Sequence, residues 1–335
     1  MMGVFTIAEI GQAHNGSIEK LHKYIDEVAK TRVDAIKFQT HIADAESSIY
    51  EPFRVKFTNE YATRFDYWKA MEFSEEQWIE IGKHCKKEGL TFISSPFSNA
   101  AVDVLERAEI EQYKIGSGEI TNFLLLKKVV DTGKPIIISS GMSSIEELNK
   151  TVGFLKKHDA NFSILQCSTS YPTTPKNYGL NVINELKGLY GVPVGFSDHS
   201  AKIATGIAAV ALGAEILEFH VVFNRDEFGP DVTSSLTIDE ATELVKSVKQ
   251  IHEALKHPVD KKDNSAFADL KQIFEKSLAV NKDLKKGHII TFNDLEAKKP
   301  KGYGIDASKY KLVLGKKINK NLNQWDFLNK TDVIL

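Results

Sequence analysis

Two lysines, Lys37 and Lys114, sit near the ends of short apolar runs, Asp34–Thr40 and Gln112–Ile115. An apolar strand gains nothing by ending in an ammonium group unless that group faces an anion; the alternative is a side chain that snorkels to solvent. Hydroxyls recur at the ends of the other runs, at Ser94 and Ser95, Ser117, Ser139 and Ser140, Ser168 and Ser197. Ammonium and hydroxyl groups at one opening suit a phosphate-bearing anion. Gly116-Ser-Gly118 and Ser139-Ser-Gly141 would let backbone N–H groups approach oxyanions, although such tripeptides also fill ordinary tight turns. The sequence has no G-x-G-x-x-G or Walker A pattern, which disfavours nucleotide binding.

Of ten histidines, His199 and His220 close adjacent runs, the seventh and the eighth. Neighbouring parallel strands lie about 4.8 Å apart, so both imidazoles could reach one cation. Two neutral nitrogens leave most of an octahedral shell open to water and substrate oxygens, which favours a Mn²⁺-like or Mg²⁺-like ion over a closed zinc site. Without a cation the pair reads as hydrogen-bonded barrel histidines. Period-2 geometry puts Lys37 and Gln39 on one face, and likewise Glu218 and His220, so Glu218 could orient a metal-bound His220 or act as a base. Glu9 ends the first run and Asp231 follows the last, in Phe228-Gly-Pro-Asp231; spacing alone assigns neither a role.

The elements that must hold these groups are eight near-continuous apolar runs: Val4–Ile10, Asp34–Thr40, Leu90–Ser95, Gln112–Ile115, Pro135–Ser139, Asn161–Cys167, Val192–Phe196 and Glu215–Val222. Continuous rather than alternating apolarity is expected of strands covered on both faces. Helix-like stretches follow each run, and Ser74-Glu-Glu-Gln77, Ser144-Ile-Glu-Glu147 and Thr237-Ile-Asp-Glu240 have the form of capping boxes. The first of these helices should end near Gly89. Eight alternations predict an α/β fold, a (β/α)8 TIM barrel over residues 1–257, with its site at the strand C-terminal ends. Residues 43–73 break the rhythm with Tyr50, Phe53, Phe57, Tyr61, Phe65, Tyr67, Trp68 and Phe73. They read as a lid, a subunit contact or a satellite core. Residues 258–276 read as a polar linker with a helix at Phe267–Phe274. Residues 277–335 read as a small β-rich module of short segments, Leu278–Val280, Ile289–Phe292 and Lys311–Leu314 among them, with little core of its own.

Composition narrows the class. With 335 residues, 43 Lys plus Arg against 45 Asp plus Glu, 42% hydrophobic and 26% charged residues, the chain is an ordinary globular protein without a basic field for nucleic acid. No apolar run reaches the roughly 20 residues of a membrane span. The first residues do not read as a signal peptide, and Cys85 and Cys167 form no metal-binding spacing, so a reducing cytoplasm is expected.

Ala8-Glu-Ile-Gly11, His14-Asn-Gly16, Lys37-Phe-Gln-Thr40, Lys114-Ile-Gly-Ser-Gly-Glu119, Ser139-Ser-Gly-Met142, Tyr171-Pro172, Gly195-Phe-Ser-Asp-His199 and Gly229-Pro-Asp231 occur in the order found in the sialic acid synthase family, which the chain resembles over nearly its whole length. The tail, from Ser277-Leu-Ala-Val280 to Val313-Leu-Gly-Lys316, resembles the antifreeze-like (SAF) domain of that family. The resemblance implies condensation of phosphoenolpyruvate with N-acetylmannosamine, giving N-acetylneuraminate and phosphate by C–O cleavage. An alternative acceptor is a diacetamido-trideoxyhexose, giving legionaminate-type or pseudaminate-type products. By the same resemblance Lys37, Ser95, Lys114, Ser117, Ser139 and Ser197 hold phosphoenolpyruvate, and His199 and His220 bind Mn²⁺, with Mg²⁺ or Co²⁺ as substitutes. Glu9, Gln39, Tyr171 and Asp231 contact the sugar, Glu119 is an acid/base candidate, and the chain forms a domain-swapped homodimer.

Four residues depart from the family pattern. Lys299, in Lys298-Lys-Pro-Lys-Gly302, stands where an arginine would reach the partner's sugar site, and it keeps the charge but loses the planar fork. Phe219 occupies a strand-8 position that is basic in many relatives, and Gln12-Ala13 replaces Val-Asn. These changes are expected to bear on sugar choice rather than reaction type. A reading of another class, a non-catalytic sugar-binding or assembly barrel, predicts lost metal ligands or lost lysines, and the sequence keeps both.

Overall fold

The computed structural model describes residues 3–53, 60–227 and 229–334; Phe57 and Phe228, singled out above, lie outside them. The chain divides into two compact units, Met1–His257 and Pro258–Leu335. In the first unit β1 (Phe5–Glu9), α1 (Ile18–Lys30) and β2 (Ala35–Thr40) are followed by an excursion with two short helices, α2 (Ala43–Glu46) and α3 (Arg64–Met71). The alternation resumes with α4 (Glu75–Lys87), β3 (Thr91–Pro96), α5 (Asn99–Arg107), β4 (Gln112–Ile115), α6 (Phe123–Val130), β5 (Ile136–Ser139) and α7 (Ile145–Lys157). It continues through β6 (Phe162–Cys167), α8 (Val182–Tyr190), β7 (Val194–Asp198), α9 (Ile203–Ala211) and β8 (Ile216–Val222). A two-residue β9 (Leu236–Thr237) extends the sheet beside β8 before α10 (Ile238–Lys256).

Strands β1 to β8 pair in parallel and in order, and β8 closes on β1 with Glu9 opposite His220, so the unit is a (β/α)8 barrel. The seventh strand runs two residues further than its apolar stretch, so Ser197 and Asp198 lie within it. Three helix starts obey local chemistry: Ser74 with Gln77, Ser144 with Glu147 and Thr237 with Glu240 each exchange both capping-box hydrogen bonds. Helix α4 ends at Lys87 with Glu88 as its C-cap, and Gly89 turns the chain with φ +74°.

Inside the barrel Ile7, Ala35, Ile93, Ile137, Leu165 and Ile216 form one buried apolar layer. A strand returns to the same face every second residue, so the next inward positions are Glu9, Lys37, Ser95, Ser139, Cys167 and Glu218. One register therefore sets an apolar floor and, directly above it, a polar layer. Gly195 lets this packing close: a Cβ there would stand 2.3 Å from the Ile216 carbonyl and 2.6 Å from Leu165 Cδ2. The outward strand residues and the helices form a separate, larger core, in which Phe219 is buried. Phe219 thus points away from the mouth, which corrects the expectation that its departure bears on sugar choice.

The excursion carries a satellite core of Ala43, Tyr67, Trp68 and Met71, with Phe53, Tyr61 and Phe65 packed against it. Tyr50 stays 87% exposed and takes no part.

The second unit has α11 (Ala268–Phe274), an antiparallel pair β10 (Ser277–Val280) and β11 (Leu295–Lys298), and a shorter pair β12 (Lys317–Ile318) and β13 (Val333–Ile334). Its β content is smaller than expected from sequence. Residues 289–292 contribute an isolated bridge at Ile289, and Lys311 and Leu312 end a 3₁₀ helix, Ala307–Leu312, in place of a strand. A pattern recurs after 38 residues: Leu284 and Leu322 exchange backbone hydrogen bonds, Gly287 and Trp325 both have positive φ, and Asp294 and Asp332 both close capping boxes. Leu278, Val280, Leu284, Ile290, Ile305, Val313, Ile318, Leu322, Leu328 and Val333 make its core.

Candidate active site at the barrel mouth

The polar layer lines a cavity of about 450 Å³ at the C-terminal ends of the strands. Twelve predicted residues line it together: Lys37, Gln39, Ser95, Lys114, Ser117, Glu119, Ser139, Tyr171, Ser197, His199, His220 and Asp231. Glu218 lines it too, while the fully buried Glu9 lies behind Gln39, whose Nε2 donates to Glu9 Oε1 at 3.0 Å. Lys299 belongs to the second unit, where its Nζ stands 4.7 Å from the Phe274 ring centroid.

The lysines are not bare. Lys37 is ion-paired with Glu9, and Lys114 Nζ donates to both oxygens of Glu218 at 2.8 and 3.0 Å. Lys37 also lies 3.9 Å from Glu218, which accepts a further hydrogen bond from Ser197 Oγ at 3.0 Å. Burial by itself would push the Glu218 carboxyl up, but Lys114 and Lys37 outweigh it and hold the pKa below the usual carboxylate range. Burial likewise works against Lys37, and the charges of Glu218 and Glu9 more than offset it, leaving its pKa raised. The oxygens of Glu218 bond Lys114 and Ser197, so the lysine cluster is the partner set the structure shows for it. The four-charge cluster fixes both ammonium groups at the cavity wall, each with donors to spare.

Around them stand the hydroxyls. Ser139 Oγ is buried with no hydrogen-bond partner among the described residues, and so is Gln12 Oε1; both residues line the cavity. Buried polar atoms are rarely left unpaired, so an orphan aimed into a cavity indicates a place for ligand. Gly141 keeps this cradle open, since a Cβ there would stand 2.4 Å from Thr169 Oγ1, 2.6 Å from Ser117 Oγ and 3.1 Å from Cys167 Sγ. Ser94 and Ser140 are used structurally: Ser94 Oγ bonds Thr40 Oγ1 at 2.7 Å, and Ser140 Oγ donates to Gln166 Oε1 at 3.1 Å.

The His199 and His220 rings lie 5.3 Å apart between centroids, with Tyr171 stacked on His199 at 4.2 Å. His199 Nδ1 faces the Ser168 carbonyl at 3.1 Å, so Nδ1 carries the hydrogen and Nε2 keeps its lone pair. Burial, reinforced by His220, pushes the His199 pKa down to about 3, so the ring stays neutral. A neutral imidazole with its tautomer fixed by a carbonyl is the form that ligates a divalent ion, and this donor set fits one. A three-residue cluster with metal-ligand geometry comprises Asp26 of α1, His84 of α4 and Glu88, which caps α4, and includes neither of these histidines.

Across the cavity Glu119 accepts from Asn122 Nδ2 at 2.7 Å, and burial raises its carboxyl pKa. Sequence reasoning missed the wall beside it, where His41, Glu46, Glu51, Arg64 and Phe97 join Phe53, Tyr67 and Trp68. The aromatic density of residues 43–73 was the available signal; that these residues line the cavity was not legible from it. No described helix is long and apolar enough to cross a membrane.

Residues 24–260 match the model of the NeuB family. The chain is 33% identical over 336 residues to the N,N'-diacetyllegionaminic acid synthase of Campylobacter jejuni, covering 98% of this chain and all of that one. It is 33% identical over 305 residues to the N-acetylneuraminate-9-phosphate synthase of Homo sapiens, covering 89% of this chain and 84% of that one. Among solved structures, the N-acetylneuraminic acid synthetase of Leptospira borgpetersenii matches with a TM-score of 0.71 at 30% identity, covering 80% of this chain and 90% of that one. The chain belongs to the NeuB family and is an enzyme, a NeuB-type phosphoenolpyruvate-dependent synthase.

Proposed function

We propose that this NeuB-type synthase joins C3 of phosphoenolpyruvate to the aldehyde carbon of open-chain N-acetylmannosamine, releasing N-acetylneuraminate and inorganic phosphate. The observation that carries the reading is the cavity's polar layer: two fixed ammonium groups and an unpartnered serine hydroxyl beside the His199–His220 pair. Lys37, Lys114, Ser95, Ser117, Ser139 and Ser197 hold the phosphate and carboxylate, whose charges need such donors when they leave water. Glu9, Gln39, Tyr171 and Asp231 orient the sugar.

As the new C–C bond forms, electrons leave the enol for the aldehyde carbon, and the aldehyde oxygen takes up negative charge and a proton. Glu119, whose burial raises its carboxyl pKa, gives that proton in this reading. Water then adds at C2, and C–O cleavage expels phosphate and leaves the ketone. His199 and His220 would hold a divalent ion, Mn²⁺ in the first instance, which would supply Lewis-acid polarisation of the aldehyde oxygen. Holding both reactants in register supplies much of the remaining rate.

A second reading keeps this chemistry and changes the acceptor to a diacetamido-trideoxyhexose. It is favoured by Lys299 in place of arginine and by the end-to-end similarity to a legionaminic acid synthase. Phosphate release from phosphoenolpyruvate and Mn²⁺ with each acceptor separates the two. Release with N-acetylmannosamine supports the first; release only with the other sugar replaces it; release with neither removes both.

A further inference from the structure

His41 follows β2 and is buried, yet neither the phosphate cradle nor the histidine pair uses it. Its ring lies nearly flat between two aromatic faces: Trp68 of α3 at 4.0 Å and 14°, and Phe97 after β3 at 4.5 Å and 7°. Its edges are equally constrained. Nδ1 is 2.6 Å from Glu46 Oε1 of α2, and Nε2 is 3.4 Å from Gln39 Oε1.

The direction of each hydrogen bond follows from chemistry. Glu9, ion-paired with Lys37, can only accept, so the Gln39 group that faces it is the amide nitrogen. The Gln39 amide oxygen must then point the other way, where Gln12 Nε2 donates to it at 3.0 Å and His41 Nε2 also faces it. Nε2 therefore meets an acceptor, and Nδ1 meets a carboxylate. The ring thus has an acceptor at each edge, the Glu46 carboxylate at Nδ1 and, at longer range, the Gln39 amide oxygen that Gln12 also bonds.

We propose that His41 is a positioning residue for the acceptor side of the cavity: pinned between Trp68 and Phe97 and anchored on Glu46, its ring fixes the Gln39 amide that faces the sugar. The excursion between β2 and α4 is thereby coupled to acceptor recognition through one side chain, without a claim on the phosphoenolpyruvate end. The proposal rests on the function proposed above in one respect, that Gln39 meets the acceptor.

Three substitutions read it. In His41→Gln the amide nitrogen falls near the place of Nε2, in His41→Asn near Nδ1, and His41→Phe keeps the stack and loses both bonds. With the full-length chain, Mn²⁺, phosphoenolpyruvate and whichever acceptor turns over, His41→Asn and His41→Phe should raise the acceptor KM about five- to tenfold, the worth of one hydrogen bond. His41→Gln should stay within about threefold of wild type, and the KM for phosphoenolpyruvate should hold within about twofold throughout. Equal losses in the Gln and Asn variants, a parallel rise in both KM values, or no change in any variant overturns the assignment. If wild type turns over neither acceptor, the functional reading has failed, and ¹⁵N NMR of the imidazoles decides His41 alone. A hydrogen on Nε2, directed at the Gln39 amide oxygen, is expected; an Nε2 that carries none refutes the proposal.

Discussion

Removing the Glu218 carboxylate would leave Lys37 with Glu9 as its remaining anion and Lys114 with none among the described ion pairs. Glu218→Gln should therefore cost about 3 kcal/mol of stability by urea denaturation, the usual cost of orphaning a buried charge. Glu218→Gln combined with Lys114→Met should recover most of that stability and no activity, because apolar side chains can replace a buried pair in folding but not in holding an anion. The same residue scale holds the tightest steric test. Gly141→Ala would drive a methyl group into Ser117, Thr169 and Cys167, and the KM for phosphoenolpyruvate should rise about tenfold or more as a hydroxyl is displaced. An unchanged KM would show that the cradle does not meet the phosphate.

At the scale of elements, the excursion supplies carboxylates as well as aromatic rings. Glu46 and Glu51 line the same cavity as Glu119 and Asp231, and Arg64 Nε already faces Glu51 at 3.2 Å. Like charges in a desolvated wall cost several kcal/mol, so an acceptor phosphorylated at its far end should be turned over at least about tenfold less efficiently than the unphosphorylated sugar. Comparable kcat/KM for the two would contradict this. Elements of the second unit carry a different electrostatic device. Asp294 is buried, which by itself would raise its pKa, but His288, Lys282 and Thr291 together hold it well below the carboxylate range. Its folded pKa lies below its unfolded one, so its contribution to stability is complete above roughly pH 4 and is lost progressively as pH falls from there through the lower folded value. Thermal melting of the full chain against pH should show Asp294→Asn losing stability at neutral pH and having a flatter acid limb; wild-type and variant curves that stay parallel would exclude the contribution.

For the whole molecule, the homodimer implied by the family resemblance is a proposal with a physical motive. Helix α11 leaves Phe267 just before it, with Leu270, Ile273 and Phe274, about half exposed in the single chain. Light scattering should give the mass of two chains at micromolar concentration, and Leu270→Glu with Ile273→Glu should shift it to one. A wild-type monomer at all concentrations would remove the proposal.

Sequence alone determined what is local and periodic. Capping boxes at Ser74, Ser144 and Thr237 act within four residues, and the apolar runs marked all eight barrel strands because burial on both faces demands continuous apolarity. The alternation that puts Glu9, Lys37, Ser95, Ser139 and Glu218 two residues past floor positions was written in the chain, which is why the mouth could be read in outline. The cross-barrel partners could not be. Lys114 meets Glu218 across 104 residues, and His41 meets Trp68 only after the excursion folds back. Period fixes which way a side chain points; ring closure and packing fix whom it meets, and so only the tertiary structure decided that the lysines arrive already neutralised and that residues 43–73 help wall the site.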